Sequence, residues 1–388
     1  MLTAFVTATV FATAIASIGC SPAPPPNMPP DPGDPLAGAE EPLVVQTLPG
    51  AAPLEWPLPV AYSAGRYLLP YRDGSTLHAL IVSSGGATAD FALGDEKLLD
   101  VAPWRAGFAV ATFLDRVTIH FLDGESVTAV QLDAAGTLVP AIASDGERVM
   151  VAATVPNPTP PPPTGFIPPA LDAHAFLVDL DGPIGREVGL VDAMPSLYGD
   201  RAGFIVGGRW RLAAIGAVDN TPAAQLPGAR LYRAAAPLSD SVTTDGAGWL
   251  DVGGVVAWAY TDDAGAAIGV MHDGAPDDVL LASPALAPLG RVALPSTTRA
   301  LQPGWMRGFR GGRALWEAPI AGQDGRVDHA FAVVDRATLA PRGTFTRAVA
   351  PTSRTVVALL GDTDILFAWM QSNGDPHHPI CRFALYPR

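Results

Sequence analysis

Residues 372–381, SNGDPHHPIC, form the one dense cluster of metal-ligating side chains in this sequence: Asp375, His377, His378 and Cys381 offer oxygen, nitrogen and sulfur donors within seven positions. Adjacent histidines in an extended strand point to opposite faces, and Pro376 and Pro379 interrupt the run. The segment therefore reads as a surface loop, with Asp375, His377 and His378 as the candidate ligands if a metal is held at all. Cys381 reads as a buried thiol packed like a small hydrophobe. No cofactor is expected.

Other carboxylates are explained more simply. DLDG at 179–182 has two acids and a glycine but lacks the remaining ligands of a calcium loop, so it reads as a hairpin turn. The doublets Asp262-Asp263 and Asp277-Asp278 read as solvated loop tips. The chain has no G-x-S-x-G elbow, no H-E-x-x-H, no C-x-x-C, no phosphate-binding glycine loop and no dinucleotide fingerprint. No catalytic residue is assigned. The expectation leans away from an enzyme.

The histidines instead share a register. DAHAFLVD around His174 is echoed by VDHAFAVVD around His329. TLHALIV (His78) and TIHFLDG (His120) belong with them. GVMHDG (His272), ICRFALYP (Arg382) and ARLYRAAAPL (Tyr232) are looser members. Upstream, a glycine turn precedes an apolar strand: SAGRYLLPY, WRAGFAVATF, SDGERVMVAAT and DRAGFIVGGRW. Thirteen residues separate Gly65 from His78 and Gly107 from His120. In later units an aromatic ends that strand: Trp258, Trp316 and Trp369. Each unit resolves into four short strands, DVAPW, GFAVATFL, RVTIHFLD and SVTAVQL in the second. Seven units of roughly 49 residues fill 43–388, the period of propeller blades. The histidines then mark equivalent packing positions on the third strand of different blades. They lie too far apart to share one ion at about 2 Å bond lengths.

Composition agrees with an all-β reading. The chain has 388 residues, 48% hydrophobic and 16% charged, with 40 glycines and 40 prolines. That supplies a large core and many turns, and short apolar runs stop at Gly, Asp or Pro. The net charge is −14 and Lys97 is the sole lysine, so nucleic acid is not an expected partner. The expected fold is all-β: a propeller of four-stranded antiparallel blades, seven in number, with six or eight blades or a pair of β-sandwiches as alternatives. The strand that follows D-G and ends in an aromatic resembles a repeat in uncharacterised bacterial lipoproteins built on β-propellers. The resemblance spans the region after residue 42 and implies a fold, not an activity.

The first 19 residues carry no charge and are small or apolar, short for a membrane span and suited to a signal peptide. Their end, SIGC, resembles a bacterial lipobox, with Gly19 before Cys20; Ser17 departs from the leucine favoured there. The resemblance implies cleavage before Cys20 and transfer of a diacylglycerol to its thiol, with palmitate among the acyl chains of the anchor. Residues 20–42 are proline-dense and read as a semi-rigid tether. These features lead to an exported cell-envelope protein, an outer-membrane lipoprotein, held to the membrane by its lipid anchor.

Residues 156–170 read as an insertion into an otherwise regular hairpin. Its Pro156, Pro160, Pro161, Pro162, Pro163 and Phe166 form a candidate interaction loop, since proline-rich segments suit protein recognition; a tolerated surface insertion is the simpler account. The functional expectation is a noncatalytic binding or assembly module with an envelope protein or glycan as partner. The alternatives are a propeller hydrolase or lyase and a carbohydrate-binding protein. The last unit is one strand short, and PLVVQTL at 42–48 has no partner in the first. Residues 43–48 are therefore expected to pair with 380–387 and close the ring.

Overall fold

A computed structural model describes residues 44–48, 51–52, 59–86, 88–132, 141–156, 171–181, 186–194, 201–206, 209–215, 229–237, 255–262, 265–272, 275–283, 287–294, 305–310, 312–321, 327–340, 346–348, 356–371 and 380–387. All regular structure among them is β-strand, arranged in seven sheets. β1 (Val44–Leu48) belongs with the end of the chain. Sheet I contains β2 (Ala51–Ala52), β3 (Ala61–Ser63), β4 (Arg66–Asp73), β5 (Thr76–Ser83) and β6 (Thr88–Gly94), with β2 and β3 both on β4. Sheet II is β7 (Lys97–Trp104), β8 (Gly107–Phe113), β9 (Val117–Leu122) and β10 (Val127–Gln131). Sheet III is β11 (Ala141–Ser144), β12 (Val149–Pro156), β13 (Leu171–Val178) and β14 (Arg186–Met194).

Sheet IV is β15 (Arg201–Val206), β16 (Arg209–Ile215) and β17 (Ala229–Pro237). Sheet V is β18 (Val255–Asp262), β19 (Gly265–His272), β20 (Ala275–Ala282) and β21 (Pro288–Ala293). Sheet VI is β22 (Trp305–Arg310), β23 (Arg313–Ala321), β24 (Val327–Asp335) and β25 (Thr346–Ala348). Sheet VII is β26 (Val356–Leu360), β27 (Asp364–Gln371) and β28 (Ile380–Pro387), with β1 beside β28. Val44 faces Leu385 and Leu48 faces Cys381 in that antiparallel pair, the pairing expected from the unfinished last unit.

The first strands of the sheets touch in sequence order. β3 lies against β7, then come β11, β15, β18, β22 and β26, and β26 lies against β3. Sheets pack face to face, so most strands are buried on both sides. That is why their sequences are continuous apolar runs rather than alternating ones. In β4, Tyr67, Leu69 and Tyr71 pack against Leu366, Phe383 and Leu385 of sheet VII. Leu68 turns the other way, onto Phe108, Val110 and Leu122 of sheet II. The outer strand β10 is exposed at four of its five residues, as expected where no further strand covers it.

Three details of the sequence reading change. DRAGFIVGGRW is not one second strand: Arg201–Val206 is the first strand of sheet IV and Arg209–Ile215 the second. Trp258 lies on the first strand of sheet V and His272 ends its second, so neither is equivalent to Trp316 or His329. A glycine followed by an apolar run announces a hairpin strand without saying which one. Third, the His-Ala-Phe echo shares a strand but not a face. Phe176 packs toward sheet II, the preceding sheet, whereas Phe331 packs toward sheet VII, the following one. A one-residue slip in register reverses every side chain of a strand.

Candidate functional site

The two ends of the sheets carry different chemistry. One end holds the hairpins between first and second strands and between third and fourth. There the turns are tied to one another across sheets. Arg310, ending β22, places Nε 2.7 Å from Asp362 Oδ1 in the β26–β27 turn and its guanidinium 4.3 Å over the Tyr62 ring. The Asp362 amide donates to Tyr62 Oη at 3.0 Å. Ser63 Oγ donates to the Arg105 carbonyl at 3.2 Å, and Arg66 donates to the Ala106 carbonyl. The Arg105 amide donates to Gly146 O at 2.6 Å. Sheets VI, VII, I, II and III are thus joined in order.

Arg105 is the centre of this end. Its φ of +47° is left-handed, a conformation a non-glycine residue holds only when its surroundings fix it. Its Nε donates to Glu147 Oε2 at 3.1 Å, its Nη2 donates to Asp181, and its guanidinium lies 4.7 Å from the Trp104 ring. Asp181, then Glu147, hold the guanidinium protonated more firmly than usual. Trp104 is buried and donates Nε1 to Glu147 O at 2.7 Å. Arg105, Glu147, Asp181 and Asp362 are exposed, so this end shows a guanidinium and three carboxylates at the surface, above the buried Trp104 indole.

At the opposite end the third strands begin, and the histidine register comes to lie there. His78, His120 and His329 occupy the third or fourth position of β5, β9 and β24, and Arg382 the third of β28. His78, His120 and His329 are each paired with a carboxylate. His78 Nδ1 is 3.2 Å from Asp90 Oδ1, with Tyr71 stacked on the imidazole and donating to Asp90 Oδ2 at 2.6 Å. His120 Nε2 is 2.9 Å from Glu96 Oε2, which also accepts from Thr112 Oγ1, while Arg72 donates to the Glu96 carbonyl. His329 Nδ1 is 2.8 Å from Glu317 Oε1, and both side chains are buried. These pairs cap the apolar interfaces between sheets VII and I, I and II, and VI and VII, as their neighbours on the same faces show.

On the first strand of sheet II a bulge between Leu98 and Asp100 turns the Asp100 carboxylate onto two amides, its neighbour Val101 and Ile142 of β11, each at 2.8 Å. Burial pushes its carboxyl up to about 6 against the opposing pull of those two donors.

The sequence candidates fare unevenly. Cys20, the loop residues Asp375, His377 and His378, and Pro160, Pro161, Pro162, Pro163 and Phe166 lie outside the described residues. Pro156 ends β12 and pairs directly with Leu171, so the insertion occupies 157–170, between the strands of one hairpin. Asp179 accepts the Asp181 amide at 3.0 Å, the turn expected of DLDG. Asp278 is not at a loop tip: it lies on β20, 2.7 Å from Arg291 Nη1. Among the described residues no three His, Cys, Asp or Glu side chains are placed to hold a metal ion. Sequence reasoning missed Asp90, Glu96 and Glu317. Only Glu317, a lone acid inside the apolar run RALWEAPIA, left a signal.

No protein family and no curated protein sequence matches the chain. Solved structures do. A chain of the mitotic checkpoint complex is similar over 95% of this chain and 97% of its own, at 11% identity and a TM-score of 0.50. The WD40 domain of SCAP from fission yeast is similar over 88% and 87%, at 10% identity and a TM-score of 0.43. A polysaccharide lyase is similar over 85% and 89%, at 11% identity and a TM-score of 0.49. Likeness at such identity speaks to fold alone. Antiparallel sheets packed face to face, with their first strands touching in sequence order, give the described residues the architecture of a β-propeller.

Proposed function

We propose that this protein is an envelope lipoprotein whose seven-bladed propeller, closed by β1, serves as a noncatalytic binding or assembly module. One observation carries the reading: β1 is the outer strand of sheet VII. Residues 20–42 immediately precede it, so the tether leaves from the rim and both ends of the propeller stay free. The order of first-strand contacts, returning from β26 to β3, supports a ring of seven blades. SIGC and the proline-dense segment behind it support lipidation at Cys20 and residence in the outer membrane.

The end around Trp104 and Arg105 is the partner-facing surface in this reading, and a protein is the partner. The described histidine–carboxylate pairs each cap a separate sheet interface instead of converging on one cleft, which favours binding over a hydrolase or lyase.

The test separates anchor from partner. Cys20→Ala is expected to leave the membrane fraction or to accumulate unprocessed. Fractionation identical to wild type, without a mobility shift, sinks the lipoprotein reading. Photocrosslinkers at Glu147 and Asp362 are expected to trap one envelope protein, and one at Thr88, on the outer strand of sheet I, is expected to trap none. Release of new reducing ends or unsaturated products from envelope glycans would overturn the noncatalytic reading.

A further inference from the structure

The polar layer between sheets VI and VII differs from the other two. Going up the interface, Leu315, Phe331, Phe367 and Ala384 form a buried apolar layer. The next residues on the same faces are Glu317, His329, Trp369 and Arg382. Trp369 and Arg382 sit directly opposite each other on β27 and β28, a placement that brings side chains within reach. Trp369 is 6% exposed. Its Nε1–H and the Arg382 Nε–H are both buried and have no hydrogen-bond partner. Glu317, the carboxylate of this layer among the described residues, lies 2.8 Å from His329 and takes no hydrogen bond from either N–H. The interfaces capped by His78 with Asp90 and by His120 with Glu96 satisfy their polar groups internally.

A buried donor left unpaired is costly, and two side by side, one on a cation, are rarely kept without an acceptor. We propose that the Trp369–Arg382 pair is a binding site for the carboxylate group of a small molecule. A carboxylate has two oxygens and accepts one N–H on each. Its single negative charge balances the guanidinium, whereas a phosphate dianion would bring a second charge beside Glu317. The rings of Phe367 and Phe331 below supply an apolar floor for the remainder of the ligand. Arg382 is only partly buried, which leaves a way in from the end of the sheets. This site is independent of the anchoring reading and lies at the end of the propeller opposite Arg105.

The test uses the full-length chain with indole-labelled tryptophan. The Trp369 N–H resonance is identified by its disappearance in Trp369→Phe, which keeps a ring and removes the donor. Titration with sodium acetate, against sodium chloride at equal ionic strength, is expected to move that resonance saturably and to raise the melting temperature. Arg382→Lys, which keeps the charge but lacks the Nε donor, is expected to weaken acetate at least tenfold. Trp369→Phe is expected to lose the acetate-dependent rise in melting temperature. The proposal fails if acetate moves the resonance no more than chloride does, or if Arg382→Lys responds like wild type. Tighter binding of inorganic phosphate than of acetate overturns the assignment to a carboxylate.

Discussion

The Tyr67 hydroxyl donates to Asp364 Oδ1 at 2.6 Å across 297 residues of sequence, joining the second strand of sheet I to the start of the second strand of sheet VII. Tyr67 is fully buried and Asp364 is 1% exposed. Burial, then the neighbouring carboxylate, hold the phenol well above its ordinary range, so it remains a donor. Removing it strands a buried carboxylate. Tyr67→Phe is expected to cost roughly 2–3 kcal/mol in urea denaturation, and a double-mutant cycle with Asp364→Asn to return a coupling above about 1 kcal/mol. Additive effects would show the contact to be incidental. Gly361→Ala probes the same place, because a Cβ there would overlap the Tyr67 hydroxyl.

Asp100 makes a pH-dependent contribution whose sign is unusual for an aspartate. Its folded-state carboxyl titrates at about 6, above the ordinary 3.8. The native state therefore holds the proton more tightly, and this group's stabilisation is complete below about pH 4 and lost as pH rises through 6. At roughly 1.4 kcal/mol per unit, the full swing is about 3 kcal/mol. Asp100→Asn is expected to remove it: the stability difference between wild type and variant should favour wild type more at pH 4 than at pH 7. A difference that does not change with pH refutes the assignment.

Arg105 separates backbone strain from side-chain contact. Glycine accepts a φ of +47° without strain and alanine does not. Arg105→Gly is expected to melt above Arg105→Ala, although both lose the ion pairs to Glu147 and Asp181. Trp104→Phe, which deletes the bond to Glu147 O beneath it, is expected to cost about 1–2 kcal/mol. The reverse order for the two Arg105 variants would mean that the left-handed turn is not retained in solution.

The insertion between β12 and β13 can be tested by excision. Pro156 and Leu171 are direct partners, so replacing residues 157–170 by Asn-Gly gives a two-residue hairpin of the favoured twist. Stability is expected to change by less than about 1 kcal/mol, since closing a longer loop costs little. A larger loss would show that the segment packs on the body. Loss of partner capture with stability intact would make it the interaction loop.

The sequence by itself determined the class of structure. Short apolar runs cut by Gly, Asp and Pro forced β-strands and hairpins, and the thirteen-residue spacings placed the second and third strands of sheets I and II correctly. It also left β28 one strand short and β1 unpartnered, and the two pair as that arithmetic required. Spacing carried this far because hairpin partners are local. Facing and convergence are not local. Phe176 and Phe331 sit in the same tripeptide yet pack onto opposite neighbours, because a strand buried on both faces has no polar side to mark its register. Asp90, Glu96 and Glu317 meet their histidines within single sheets, where strand register and side-chain facing bring them together, whereas Asp364 found Tyr67 only when sheets VII and I packed. The donors of Trp369 and Arg382 became a candidate site for the same reason: a hydrogen bond left unmade is a property of the surroundings, and the surroundings come from residues far away in the chain.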